Sequence, residues 1–213
     1  MSRITAVISD FGGVLTTPLE HAFTAFQERS GVPLAALGRA MAAITERDGA
    51  NPLFELETGR LSEAGFLGAL GDELSSALGR PVDMSDFSQG YFEDLAPNRE
   101  LIDYMRALRE RGYRMAICTN NVREWDARWR AMLPVDEIFD VVVDSAFVGA
   151  RKPEREIYTI TLTRLGVAAD AALFVDDVEI NCDAARELGI RSVWFRSTEQ
   201  AIEEIETALR DSA

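Results

Sequence analysis

Four short apolar runs in this chain each lead to a polar side chain: Ile4 to Ile8 before Asp10, Met115 to Cys118 before Thr119, Val141 to Val143 ahead of Lys152, and Leu173 to Val175 before Asp176 and Asp177. Runs this short, separated by stretches with helical spacing, read as strands buried on both faces and joined by helical crossovers. Such strands are parallel. Their C-terminal ends therefore share one edge of the sheet, where open α/β folds hold their ligands. The pattern predicts a doubly wound parallel sheet that gathers distant residues at one place.

The alternation breaks once. After Asp10 and the loop from Phe11 to Pro18, roughly 75 residues pass without a strand pattern. Apolar residues recur at helical spacing near Leu19 to Ser30, Leu34 to Arg47, Ser62 to Leu78 and Asp86 to Phe92. Gly31-Val32-Pro33, Gly49-Ala50-Asn51-Pro52 and Gly79-Arg80-Pro81 punctuate them. Beyond Asn98 the expected order is helix 99–111, strand 114–118, helix 122–132, strand 141–143, helix 154–165, strand 172–175, helix 179–188, strand 190–195 and helix 198–210. Gly112 and Gly189 stand where a helix end calls for a left-handed residue. The sequence thus divides into an α/β core of residues 1–17 and 96–213, and a helical insert of residues 18–95 lying above the ligand edge.

Composition narrows the partners. With 36 acidic against 22 basic residues and a net charge of −14, the chain offers no basic stripe for nucleic acid or anionic lipid. An anionic substrate must be held by local groups or by a metal. Cys118 and Cys182 have no metal-ligand spacing and suit a reducing compartment without disulfides. No apolar stretch is long enough for a signal core or a membrane span, so the expected location is cytoplasmic. Oligomeric state is not legible.

The strand-end residues suit phosphate chemistry. A carboxylate that attacks a phosphate dianion needs a divalent cation to offset like-charge repulsion, and hard oxygen ligands such as Asp10 and Asp177 suit Mg²⁺. Lys152 can neutralise phosphoryl oxygens, and Thr119 can donate a hydrogen bond to them. Asp176 would pair with Lys152 or support the metal from outside its ligand set. Thr119-Asn120-Asn121 can also cap a helix beginning near Val122, which is compatible with anion binding.

In order, Asp10-Phe11-Gly12-Gly13-Val14-Leu15-Thr16, Cys118-Thr119-Asn120, Arg151-Lys152-Pro153, and Val175-Asp176-Asp177 with Asn181 resemble the four motifs of the haloacid dehalogenase superfamily. The resemblance covers the whole chain, and residues 18–95 look like its helical C1-type cap. Within the superfamily the chain most resembles the subgroup around the epoxide-hydrolase N-terminal phosphatase and the sugar-1-phosphate phosphatases. This implies a Rossmann-like core and a Mg²⁺-dependent phosphatase of a small phosphorylated metabolite, working through an aspartyl-phosphate on Asp10. It further implies Asp10, the Gly12 carbonyl and Asp177 as metal ligands, Thr119, Asn120 and Lys152 as substrate contacts, and Asp176 and Asn181 as supporting residues.

One position departs from that pattern. Two residues after the nucleophile the family usually carries a second Asp as proton donor; here Gly12 stands in its place. General acid–base catalysis is worth about 10²–10⁴-fold, so the gap predicts a slow enzyme, with His21, the only histidine, as a substitute donor. It also admits a non-catalytic phosphate-binding or regulatory protein. A 2-haloacid dehalogenase shares nucleophile and cap, but the Asp176-Asp177 pair favours Mg²⁺ and argues against it. Arg151, Glu55, Glu57 and Glu63 read as solvated surface residues, and Trp125 and Trp129, four apart, as a packed pair on one helix.

Overall fold

In the computed structural model, which describes residues 2–212, the apolar runs pair into one five-stranded parallel sheet. Its strands are β1 (Ala6–Ser9), β2 (Arg114–Thr119), β3 (Val141–Asp144), β4 (Ala172–Asp176) and β5 (Arg191–Trp194), in the spatial order β3-β2-β1-β4-β5. The chain steps outward from β1 through β2 to β3, then crosses to the other side of β1 for β4 and β5. That reversal creates the crevice at which α/β sheets take ligands. Register does the alignment: Ser9 lies level with Ile117 on β2 and with Val175 on β4, so Asp10, Cys118-Thr119 and Asp176 leave the sheet side by side.

Between β1 and the rest of the sheet the chain is helical: α1 (Leu19–Ser30), α2 (Leu34–Asp48), α3 (Pro52–Glu57), α4 (Glu63–Leu78) and α5 (Phe87–Glu93). These helices bury an apolar cluster of their own, including Phe26, Ile44, Phe66, Leu70 and Leu74. The insert leaves and rejoins the sheet through paired backbone. Thr16 and Pro97 form an antiparallel bridge, Thr17 N–H donates to Ala96 O at 2.8 Å, and Asn98 N–H donates to Leu15 O at 2.9 Å.

The crossovers and closing segments supply α6 (Arg99–Glu110), α7 (Asp126–Arg130), α8 (Val135–Ile138), α9 (Ser145–Val148), α10 (Arg155–Leu165), α11 (Glu179–Glu187) and α12 (Thr198–Arg210). Alternate strand residues point to opposite faces. Val7, Met115 and Ile117 pack under Met105 and Leu108 of α6 and Ile205 of α12, whereas Ile8, Ala116 and Phe174 pack against Ile157 and Tyr158 of α10. Covering both faces explains why β1 and β4 have no exposed residue.

Three local expectations change. Asn51 and Pro52 begin a helix rather than a loop, because Asn51 Oδ1 accepts the Leu53 N–H at 3.0 Å and proline suits a first helical turn. The helix expected over 122–132 is instead a 3₁₀ turn at Arg123–Trp125 followed by the five-residue α7. That break separates the two tryptophans. Trp129 packs on Phe11 with ring centres 4.9 Å apart, and Trp125 turns to Tyr91 and Phe92 of the insert at 4.8 and 5.3 Å.

At the end of β3, Asp144 is buried, and its Oδ1 accepts the Ala146 N–H at 2.9 Å. Its Oδ2 and the Trp129 Nε1 are buried without a hydrogen-bond partner. Burial pushes the Asp144 carboxyl up to about 7, against the pull of the Ala146 N–H. The unfolded chain releases this proton near the ordinary carboxylate range, whereas the folded chain keeps it to about pH 7. Folding stability from Asp144 is therefore full in acid and is lost as pH rises through that window, by at most roughly 1.4 kcal/mol per pH unit. Asp144→Asn should gain stability relative to the parent between pH 4.5 and 8 in urea titrations; a difference that stays constant over this range would contradict the assignment.

Candidate active site

Asp10, Lys152, Asp176 and Asp177 meet at the C-terminal edge of the sheet. The Lys152 ammonium lies 2.8 Å from Asp10 Oδ1 and 2.6 Å from Asp176 Oδ2, and the lysine is 1% exposed. Burial alone would push this ammonium down, but Asp10 and Asp176 outweigh it and hold it above the ordinary lysine range. Asp176 is fully used: its Oδ1 accepts the Val178 N–H at 2.8 Å and the Asn181 amide at 3.0 Å. Asp10 Oδ1 also accepts the Phe11 N–H at 2.7 Å, while its Oδ2 accepts no hydrogen bond from the described residues.

Asp10, Asp176 and Asp177 each offer an oxygen within 4.8 Å of the others. Three carboxylates face one ammonium, leaving two negative charges unbalanced if all ionise. Burial, countered by Lys152 and reinforced by Asp176 and Asp177, raises Asp10 above the carboxylate range. Burial and then Asp176 raise Asp177 to about 6, against Lys152. A confined set of hard oxygens with excess negative charge fits a small divalent cation.

Local backbone explains the close approach. Gly13 sits at φ +78°, and a Cβ built there would lie 2.2 Å from Asp177 Oδ2, so only glycine lets the first loop and this carboxylate share the space. Its N–H donates to Thr16 Oγ1 at 3.0 Å. Thr119 ends β2, 1% exposed, and lines the cavity over the edge. Asn120 holds the lysine loop: its Oδ1 accepts the Lys152 N–H at 2.8 Å, and its Nδ2 donates to the Lys152 carbonyl at 3.0 Å. That side chain is turned to backbone, unlike the substrate contact read from sequence.

The insert closes over these residues. Glu57 of α3 pairs with Arg151 at 2.6 Å, both largely buried, and the guanidinium lies 3.8 Å from the centre of the Phe54 ring. Burial raises the Glu57 carboxyl, partly offset by Arg151. Neither residue is the solvated surface group the sequence suggested, since nothing in the local spacing of α3 shows that its end touches the lysine loop. Glu63 is also engaged, accepting the Trp125 indole N–H at 2.8 Å. Glu55 fits its surface reading, pairing with exposed Arg60.

His21 is not brought to the site. It is exposed on α1, and the cavity is lined instead by Leu19 and Phe23. Residue 21 lies about 200° around the helix from each, on the opposite side.

The motif order, the sheet and this cluster define a hydrolase fold with an acidic, lysine-anchored edge. A family model of haloacid dehalogenase-like hydrolases matches residues 4–189, and the chain belongs to that family. It is 32% identical over 196 residues to Phosphatase MT3486 of Mycobacterium tuberculosis, covering 89% of this chain and 86% of that protein. It is 32% identical over 113 residues to rat bifunctional epoxide hydrolase 2, covering 51% of this chain and 20% of that protein. The chain thus spans about a fifth of the length of that relative. A Bacteroides thetaiotaomicron enzyme of the family, solved in complex with magnesium and inorganic phosphate, shares the fold with a TM-score of 0.66 at 22% identity, over 92% of this chain and 96% of that one. No helix among the described residues is long and apolar enough to cross a membrane.

Gly13→Ala places a methyl group inside the Asp177 carboxylate at a strained φ. If the acidic edge takes a divalent cation, Gly13→Ala should weaken its binding by tenfold or more in isothermal titration with Mg²⁺, while a chain with Gly38→Ala, where a Cβ meets nothing within 4 Å, behaves as the parent does. Equal affinities would show that the approach of Gly13 to Asp177 is unimportant.

Proposed function

We propose that the chain is a Mg²⁺-dependent phosphatase of a small phosphorylated metabolite, acting through an aspartyl-phosphate on Asp10. The observation that carries the reading is the charge at the edge: three carboxylates around one buried lysine cannot receive a phosphate dianion unless a cation joins them. The similarity to a named phosphatase over most of both chains supports it, as does the fold shared with an enzyme that binds magnesium and phosphate.

Asp10, the Gly12 carbonyl and Asp177 would hold Mg²⁺, which when bound offsets repulsion between carboxylate and phosphate and polarises the phosphoryl oxygens. The remaining roles fall to the chain. Lys152 and the Phe11 N–H lie on Asp10 Oδ1 and Oδ2 accepts no hydrogen bond from the described residues; one oxygen of this carboxylate would hold the cation and the other would attack phosphorus. As an Asp10 oxygen bonds to phosphorus the ester P–O bond breaks, the alcohol leaves as its anion and takes a proton from solvent, and Thr119 and Lys152 stabilise the charge on the phosphoryl oxygens. Water then attacks phosphorus, losing a proton to solvent, the bond between phosphorus and Asp10 breaks, and inorganic phosphate leaves with the Asp10 carboxylate restored. Asp176, itself fixed by Asn181, and Asn120 are positioning residues for Lys152. Residues 1–17 and 96–213 form the catalytic core in this reading, and residues 18–95 its cap.

Gly12 has no proton to give, and exposed His21 is on the wrong side of α1 to replace it. The expected enzyme favours esters whose alcohol leaves without protonation.

Asp10→Asn should lower Mg²⁺-dependent turnover of an aryl phosphate by roughly a thousandfold or more, because an amide is a poor nucleophile and metal ligand. Excess chelator should have the same effect on the parent. Full activity in either case would sink the mechanism.

A second prediction concerns the missing acid. The three atoms nearest a Cβ at Gly12 all belong to the Leu19 side chain, at 3.3 Å and beyond, and the backbone there is not left-handed, so a side chain at this position needs a small shift of Leu19. Gly12→Asp should raise turnover of alkyl phosphates about tenfold or more and of aryl phosphates much less. Equal gains for both classes would show that proton transfer does not limit the rate.

A further inference from the structure

Between the insert and the loops after β1 and β2 lies a cavity of about 270 Å³. Gly12, Thr119 and Asn120 form part of its wall, so it is continuous with the catalytic edge. Most of the remaining wall is hydrocarbon and aromatic, with Phe23, Met41, Phe66, Leu70, Phe87 and Phe92 among the contributors from the insert. We infer that the organic group of the substrate is an uncharged, apolar one of about ten carbon atoms, making the substrate class hydrocarbon monoesters of phosphate rather than sugar phosphates. This deepens the phosphatase reading and rests on it.

Size sets the number of carbons. A cavity of about 150 Å³ lined by apolar side chains holds a benzene molecule, so one nearly twice as large takes a group of about ten carbons.

Charge and hydrogen bonding set the chemistry. No lysine or arginine lines the cavity, and its two ionisable wall residues other than tyrosine are Glu57 and Glu63. A second phosphate or a carboxylate on the substrate would find no counter-charge there. Arg151, the nearest candidate, is bound to Glu57 and covered by Phe54. Sugar hydroxyls would find few groups, because the wall is mostly apolar and Glu57, Glu63, Asn120 and Asn121 each already have a partner, leaving Glu57 Oε1, Glu63 Oε2 and the Asn121 amide nitrogen as the atoms not so engaged among the described residues. Glu57 takes Arg151, Glu63 takes the Trp125 indole, Asn120 takes the Lys152 backbone, and Asn121 takes the Val122 N–H. The Tyr91 hydroxyl alone among the wall's polar side chains other than Thr119 makes no hydrogen bond to a described residue. A hydroxyl buried without a partner loses affinity, whereas each buried methylene gains it.

The test compares ethyl, hexyl and decyl phosphate with glucose 1-phosphate, each below its micelle concentration, in the presence of Mg²⁺. Binding of ethyl- and decylphosphonate, which cannot be turned over, is followed in parallel by calorimetry. Expected is a rise in kcat/KM of up to roughly fourfold per added methylene until the cavity is filled, with decyl phosphate far above glucose 1-phosphate. Met41→Trp, which narrows the cavity, should cut the decyl-to-ethyl ratio of kcat/KM at least tenfold. Turnover that is flat with chain length, or highest for glucose 1-phosphate, would overturn the inference and leave the phosphatase reading standing. Decylphosphonate binding far more tightly than ethylphosphonate, with no Mg²⁺-dependent turnover of any of these esters or of an aryl phosphate, would overturn the phosphatase reading and uphold the apolar cavity as the binding site. Equal binding of the two phosphonates without turnover would overturn both.

Discussion

The buried ammonium of Lys152, held between Asp10 and Asp176, is the contact on which the edge depends. One cation joins the first loop to the end of β4 and to the loop after α9, the first of which lies more than a hundred residues before the other two. An ammonium at this depth is tolerated only because its partners are close and Asp176 has its remaining bonds filled by Val178 and Asn181. Breaking such a buried arrangement by removing one partner typically costs about 3–5 kcal/mol. The same lysine contacts one oxygen of Asp10 and leaves the other without a hydrogen bond from the described residues.

The sheet provides the remaining order. Parallel strands in a β3-β2-β1-β4-β5 arrangement bring the residues after β1, β2 and β4 to one level, and helices on both faces bury β1 and β4 beneath it. The loops above that level can then be irregular without loosening the site. Asn120 shows how: one side chain reproduces the pairing of a missing strand, donating to and accepting from the Lys152 backbone.

Much of this was legible in the sequence, because it is carried by periodicity and by residue types at strand ends. The parallel sheet, the helical insert and the gathering of Asp10, Thr119, Lys152 and Asp177 all follow from where apolar runs stop. What was not legible depends on orientation. Helical phase decides that His21 faces away from the edge, and a short 3₁₀ turn decides that Trp125 and Trp129 part company; neither is fixed by spacing alone. Glu57 and Arg151 are nearly a hundred positions apart, and their pairing follows from how α3 lies on the core. The character of the cavity was hidden for a related reason, since its wall is assembled from a few residues on each of the five helices of the insert together with residues of the core.

The paired backbone at Thr16 and Pro97 carries a mechanical consequence. Two adjacent strands of chain make a door hinge: they resist stretching and shear and leave rotation about one line as the soft motion. The fixed leaf is anchored firmly, with the Asn98 amide donating to Val14 O and to Thr198 Oγ1 at the start of α12. Swinging the other leaf outward would pull Glu57 from Arg151, lift Phe54 off the guanidinium and admit water to an aromatic wall. Opening is therefore opposed by both charge and hydrocarbon, and a molecule that fills the wall restores the hydrocarbon part of that resistance when the leaf returns.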